Sequence, residues 1–351
     1  MKKDDAYRIP NLITYVPLNT SDLLLGGMIA FYGSRLLDMG TGMLPNDILP
    51  YANQLINWYI PMYSAFAINS TFAGMVVSGV IDNMLTPPIS YQEDVSEKLG
   101  VRRAPVDEKT RKGKIDELCL MISDGYTEKT CPKKQEAKIA NSTLEEITYQ
   151  IEGVRVKTSS KIKNSYLMKY LMPHAIGGCN IISNDIEIYK QRPYISFSIT
   201  AHELAHRRRY RRENDAEVLA HLAGFATKDP VFIQSSRVSR LRRECQTLFK
   251  SYDQVNKEER KKLNEKYKAF LSGLKIPDNI KGSMIQNEFK KYNIATRGIM
   301  KGQIALYKVM MKLLSRQKEG LKRYTDVFTE DLYALEKKYS SIENLAEELR
   351  R

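Results

Sequence analysis

A chain of 351 residues that is 42% hydrophobic and 27% charged can bury a substantial core, which excludes a disordered chain, a disulfide-stapled miniprotein and a collagen-like fibre. Its 55 Lys/Arg against 41 Asp/Glu give a net charge of +14, distributed as −1 over residues 1–81 and +15 beyond. Cys119, Cys131, Cys179 and Cys245 are spaced for neither a metal knuckle nor a dense disulfide framework, so a reducing compartment is expected.

The N-terminus mixes both charge signs around Pro10 and has no apolar core ending in small residues, so it does not read as a removable signal peptide. After a tail (1–20), residues 21–85 read as a transmembrane helical hairpin. No charge occurs between Asp47 and Asp82, and Ile60 to Ile81 alone would span roughly 33 Å as a helix, the thickness of a bilayer core. Trp58, Tyr59 and Tyr63 sit where aromatic rings favour the headgroup region, with Pro61 in the first turn. The earlier stretch, Leu23 to Leu44, encloses Arg35 and Asp38, a pair that must face protein or water. Small residues recur every four positions at Gly26, Ala30 and Ser34 and again at Ser70, Gly74 and Ser78, the spacing of close helix contact. Bases follow the second stretch and are absent from the intervening connection, which places the remainder of the chain in the cytoplasm beneath a cell membrane. A buried helix pair in a soluble protein shares this pattern.

Residues 86–135 read as a connecting region, with Pro87, Pro88, Pro105 and Pro132 and the charged run at 107–114. Ser142 and Glu145 fit a capping box opening a helix to about Ile151. The alternation of Asn180 to Tyr189, with Asn184-Asp185 at its centre, predicts short strands or a strand with a turn, and Tyr194 to Ile199 is a second strand-like run.

Residues 200–206 read TAHELAH, and three of the four histidines of the chain lie at or just after them. On a helix His202 and His206 share a face and can present imidazole nitrogens to one Zn²⁺, while Glu203 can act as general base on a water molecule. A mononuclear catalytic zinc takes a third protein ligand. Glu213 is the best candidate and Asp215 its rival. An unbroken helix would carry Glu213 roughly 10 Å past His206, so the chain must fold back between Arg207 and Arg212, although no Gly or Pro marks the place. Glu213 and Glu217 could instead neutralise the arginine run on a solvated face. His221 could orient the site or simply pack.

These residues resemble a thermolysin-like gluzincin pattern, in which a glutamate and an acid four residues later follow the HExxH helix. The resemblance implies Glu213 as ligand and Glu217, with Glu in place of Asp, as the carboxylate hydrogen-bonded to a ligating histidine. Leu167 to Asn180, SITAHELAH, Glu213 to Leu219 and the pair Gly320/Tyr324 are similar to a bacterial family of membrane-anchored gluzincin-like proteins catalogued as domain of unknown function 3810. That family implies a metalloprotease and an upstream membrane hairpin, with the likeness covering about residues 160–330.

From Ser236 the apolar spacing is helical, as in Leu241/Leu248, Tyr267/Leu271, Ile304 to Leu314 and Phe328/Leu332/Leu335. Arg240, Arg242, Arg243, Arg260, Lys261 and Lys262 are expected on solvated faces near a membrane, with no specific nucleic-acid partner. The expected protein is mainly α with a small β element: an N-terminal hairpin, a zincin-like catalytic core (136–230) and a helical C-terminal region (231–351). It would be a zinc-dependent, membrane-tethered metallopeptidase whose peptide substrate pairs with the strand-like segment before the HExxH helix. The alternative is a catalytically silent zinc-binding membrane protein.

Overall fold

The computed structural model describes residues 7–9, 11–15, 20–38, 49–84, 94–165, 176–180, 184–189, 192–210, 212–249, 257–289 and 324–350. The chain is mainly helical with two small sheets, and it divides into two compact units. Both units are discontinuous in sequence, one comprising Ile9–Thr86 with Lys161–Lys190 and the other the remainder. The expected 136–230 core and 231–351 region therefore fall, apart from residues 161–190, in the same unit.

In the smaller unit α1 (Thr20–Asp38) packs against α3 (Ile60–Met84), which follows α2 (Leu49–Gln54) and a π-helical turn at Leu55–Tyr59. The contact face follows the expected stripes only in part: Ser34 is buried, as is Ser78. Gly27 lies against Ile68, where an added Cβ would sit 2.8 Å from Ile68 Cγ1, and α3 buries Ser64, Met75 and Ser78. Ser70 is exposed. A periodicity of four drifts around a helix of 3.6 residues per turn, so i, i+3 and i+4 spacings mark the true face. The side chains of Arg35 and Asp38 lie outside the described residues.

Polar bonds tie one end of these helices to a three-stranded sheet, β3 (Lys163–Asn164), β5 (Ile186–Ile188) and β4 (Gly177–Cys179), in that order. Central β5 runs parallel to β3 and antiparallel to β4. Asp82, at the C-terminal end of α3, accepts from Asn11 N (2.9 Å), Asn11 Nδ2 (3.0 Å) and Asn184 Nδ2 (3.2 Å). The neighbouring Asp185 accepts from Lys163 Nζ at 2.7 Å and from Thr20, the first residue of α1, at 3.4 Å. The start of α1 and the end of α3 thus meet the same sheet. The outer face of α3 is apolar and open, with Phe66 70% exposed and Trp58 of the preceding turn 74% exposed.

The larger unit opens with a two-residue parallel pair, β1 (Tyr7–Arg8) and β2 (Val156–Lys157). Its helices are α4 (Val95–Lys98), α5 (Glu108–Asp124), α6 (Lys133–Glu152), α7 (Ser196–Arg207), α8 (Glu213–Ala226), α9 (Pro230–Leu248), α10 (Lys257–Gly273), α11 (Asp278–Glu288), α12 (Tyr324–Tyr339) and α13 (Ile342–Glu348). Helix α8 is the axle. Every residue from Asp215 to Ala226 is buried, and α4, α6, α7, α9, α12 and α13 pack around it. Its alanines and Gly224 permit this crowding: a Cβ on Gly224 would fall 1.9 Å from Ser236 Oγ of α9. A second core joins α5, α9, α10 and α11 through Ile115, Leu118, Leu241, Leu271 and Ile280.

Several expectations are corrected here. The supposed connecting region holds two helices, because Asp107 caps α5 by accepting from Thr110 N and thereby starts a helix within the charged run. Ser142 is interior to α6, which begins at Lys133, and its hydroxyl bonds Ile139 O. Tyr194 to Ile199 is a turn running into α7, not a strand, so no strand enters the HExxH helix to pair with a peptide. Arg240, Arg242 and Arg243 are not solvated; they pair with Glu336, Glu288 and Glu217. Ile304 to Leu314, His174 and Gly320 lie outside the described residues.

Candidate metal centre

Helix α7 carries the HELAH residues and stops at Arg207. The stop is a Schellman motif: Arg209 N–H donates to His206 O (2.9 Å) and Tyr210 N–H to Ala205 O (3.2 Å). Glycine is the usual residue at the left-handed position of this motif, but here Arg209 adopts it with φ of 77°. The fold-back required by the spacing is therefore present, built without glycine or proline. Burial of its neighbours holds it. Arg207 donates to Ser159 O at 2.6 Å, and Arg208 donates to Val156 O, to Asn141 O (2.9 Å) and to Asn141 Oδ1 (3.1 Å). Tyr210 OH donates to Glu152 at 2.8 Å. Of the run read as lying on a solvated face, Arg207, Arg208 and Arg209 are buried, and the first two donate to carbonyls of α6 and of the chain after it, whereas Arg212 is exposed.

After the turn, Glu213 opens α8 and returns to α7. One Oε lies 3.2 Å from His202 Nε2 and the other 3.5 Å from His206 Nε2, while the two Nε2 atoms are 3.1 Å apart. One ligand atom from each residue falls within a 4.8 Å group. His206 Nδ1 lies 2.7 Å from Tyr210 O; donating its proton there leaves Nε2 as the free lone pair facing the other two groups. The rings are largely sheltered, whereas the Glu213 side chain is 56% exposed, so one side of the cluster is open.

Burial disfavours a charged His202, but the hydrogen bond it donates to Glu213 and the nearby Glu217, Glu203 and Glu213 charges overcome this and raise its pKa to about 9. The two rings hold the Glu213 carboxyl well below the usual carboxylate range. Glu203, buried on α7 beside the cluster, is moved the other way: burial raises its pKa, opposed by His202 and His206. Its carboxylate has no hydrogen-bond partner among the described residues.

The remaining site residues are placed differently from expectation. Asp215 accepts from Val95 N at 3.0 Å and is not in the ligand group; it ties α4 to the start of α8. Among the described residues Glu217 does not hydrogen-bond either ring, since His206 Nδ1 faces Tyr210 O and His202 Nδ1 has no partner there. Glu217 instead accepts from Arg243 of α9 and acts on His202 through space. His221, two turns into α8, packs edge-on against Phe225 (5.1 Å) and Phe328 (6.1 Å) and lines a separate cavity. Sequence reasoning missed Tyr210, Arg208 and Arg243. Of these only Tyr210 carried a signal, as the one apolar-bodied residue amid the arginines.

Fold and site together describe a helical protein with a His-His-Glu ligand cluster at the junction of two consecutive helices. Residues 11–329 match the family described as protein of unknown function (DUF3810), and the chain belongs to that family. The match includes the α1/α3 unit, beyond the 160–330 likeness noted from the motifs. No curated protein and no solved structure matches the chain.

The His202 shift fixes a pH dependence for the metal-free chain. A folded pKa raised from 6.5 to about 9 contributes stability that is complete below pH 6.5 and lost as pH rises through 9, by about 3 kcal/mol at most. Thermal unfolding of chelator-treated protein should show the melting temperature falling across that window. The fall should vanish in His202→Ala; a variant that retains it would place the titration elsewhere.

Proposed function

We propose that the chain is a zinc-dependent, membrane-tethered metallopeptidase. The observation that carries this reading is the convergence of His202 Nε2, His206 Nε2 and the Glu213 carboxylate on one point, with Glu203 beside them on the same helix. The donor set fits the metal. Two imidazoles and one carboxylate suit Zn²⁺ and leave its fourth position open, on the side where Glu213 is exposed. When bound, zinc supplies Lewis acidity that acidifies a water molecule and polarises a peptide carbonyl.

The side chains divide the remaining work. Glu203 takes the proton from the water and later delivers it to the leaving amine. Its basicity is raised by burial, against the opposing effect of His202 and His206, which favours its taking up that proton. Tyr210 O holds the His206 ring in one tautomer, and the Arg243–Glu217 pair places negative charge behind His202. An extended peptide must bind by side-chain and backbone contacts other than pairing to a strand at residues 194–199, which are not extended.

The membrane reading rests on Leu55–Asp82, a 28-residue helical stretch containing an 18-residue window of mean hydropathy 1.5 that is 22% buried. A core helix of a soluble protein would bury its aromatic face, whereas Phe66, Phe72 and Tyr63 point outward. Because Thr20 and Asp82 both bond the same sheet, α1 and α3 would enter and leave the bilayer on one side. The Lys/Arg bias after α3 puts that side in the cytoplasm.

Glu203→Gln should retain one zinc per chain while lowering cleavage of an unstructured protein substrate by on the order of 10²–10⁴-fold. Undiminished cleavage would refute the assignment of the base, and stoichiometric zinc in a wild type that cleaves nothing would favour the silent zinc-binding alternative. Membranes washed with alkaline carbonate should keep the chain in the pellet; release into the supernatant removes the hairpin.

A further inference from the structure

Away from the ligand cluster, a cavity of about 120 Å³ lies where α5, α8, α9, α12 and α13 meet. Lys114, Arg237 and Arg240 line it together with His221. Their acidic partners are unevenly placed. Glu336 accepts from Arg240 at 2.5 and 2.8 Å and lies 3.4 Å from Lys114. Glu117, 2.6 Å from Lys114, and Glu343, 3.5 Å from Arg237, are rim residues with side chains 45% and 41% exposed. Glu244, 3.6 Å from Arg240, is already bonded by Arg111 and leaves the balance unchanged. Water and salt screen the rim pairs, so the sheltered charge is three cations against one carboxylate.

Donor capacity is in excess as well. Among the described residues His221 Nε2 and Arg237 Nε are buried without a hydrogen-bond partner, although both residues line the cavity. His221 is neutral here, because burial and then the Arg240 charge push its pKa down to about 3, and it therefore offers one N–H. An amine or a metal cation would add positive charge where cations already predominate. A tetrahedral oxyanion supplies acceptors in several directions with charge of the needed sign, and the volume accommodates one. We propose that this cavity binds a phosphate-sized oxyanion, free or as a phosphomonoester, through Lys114, Arg237, Arg240 and His221.

The test uses the full chain in detergent after chelation, so that phosphate cannot be read through a metal at the other site. Inorganic phosphate and glycerol 3-phosphate are titrated separately by calorimetry and by thermal shift. One saturable site per chain is expected, weakened about tenfold or more in Arg237→Gln and in His221→Phe, the latter keeping a ring against Phe225 and Phe328. Tighter binding of the ester would assign an esterified ligand, and equal or weaker binding free phosphate. Lys114→Gln, on α5 and outside the α8–α9 packing, serves should another variant fail to fold. No saturable binding at tens of millimolar, or binding unchanged by all folded variants, overturns the proposal without touching the metal reading.

Discussion

The reversal of the chain at Arg207–Arg212 is the constraint on which the site depends. Two imidazoles one turn apart need only a helix, but the third group must come back to them from seven residues away. The Schellman turn through Arg209 does this, and it also places Tyr210 O against His206 Nδ1, so one backbone bend both delivers Glu213 and orients the His206 ring. A left-handed arginine is unfavourable in isolation. It persists because the two residues before it, Arg207 and Arg208, are buried and anchored: their guanidinium groups donate to the carbonyls of Ser159, Val156 and Asn141.

The same bend sends the chain into α8, the most completely buried helix of its unit. Glu213 therefore stands at the end of a rigid rod clamped by six neighbours, and only its side chain is exposed. Such a mounting suits preorganisation of a ligand, whose position is set by packing along Ala216 to Ala226 and not by a loop. In the other unit the organising contacts are polar and lie at one end of the helices, at Asp82 and Asp185, leaving the flanks of α3 apolar and open.

Legibility in the sequence followed the physics of each feature. Apolar periodicity identified α3, α9, α10 and α12, and TAHELAH identified both imidazoles and the neighbouring carboxylate, because a fixed i, i+4 spacing translates directly into a shared helix face. Burial of charge was not legible. Arg208 is written identically whether it is solvated or enclosed by carbonyls distant in sequence, and the same holds for Arg240 and Arg243, whose partners Glu336 and Glu217 lie on other helices. Glu217 sat at the expected spacing yet bonds Arg243, since the acceptor on each ring is decided by which backbone the turn brings near. Short strands such as β3, two residues long, carry too little periodicity to be read at all.

The central claim is that three side chains from two helices hold one zinc ion. X-ray absorption at the zinc edge of the loaded full-length chain tests it most directly. The account predicts two imidazole nitrogens at about 2.0–2.1 Å with light oxygen donors completing a four-coordinate shell, and loss of tight zinc in Glu213→Ala. A shell containing sulfur, or an unaltered spectrum at full occupancy in Glu213→Ala, would contradict it.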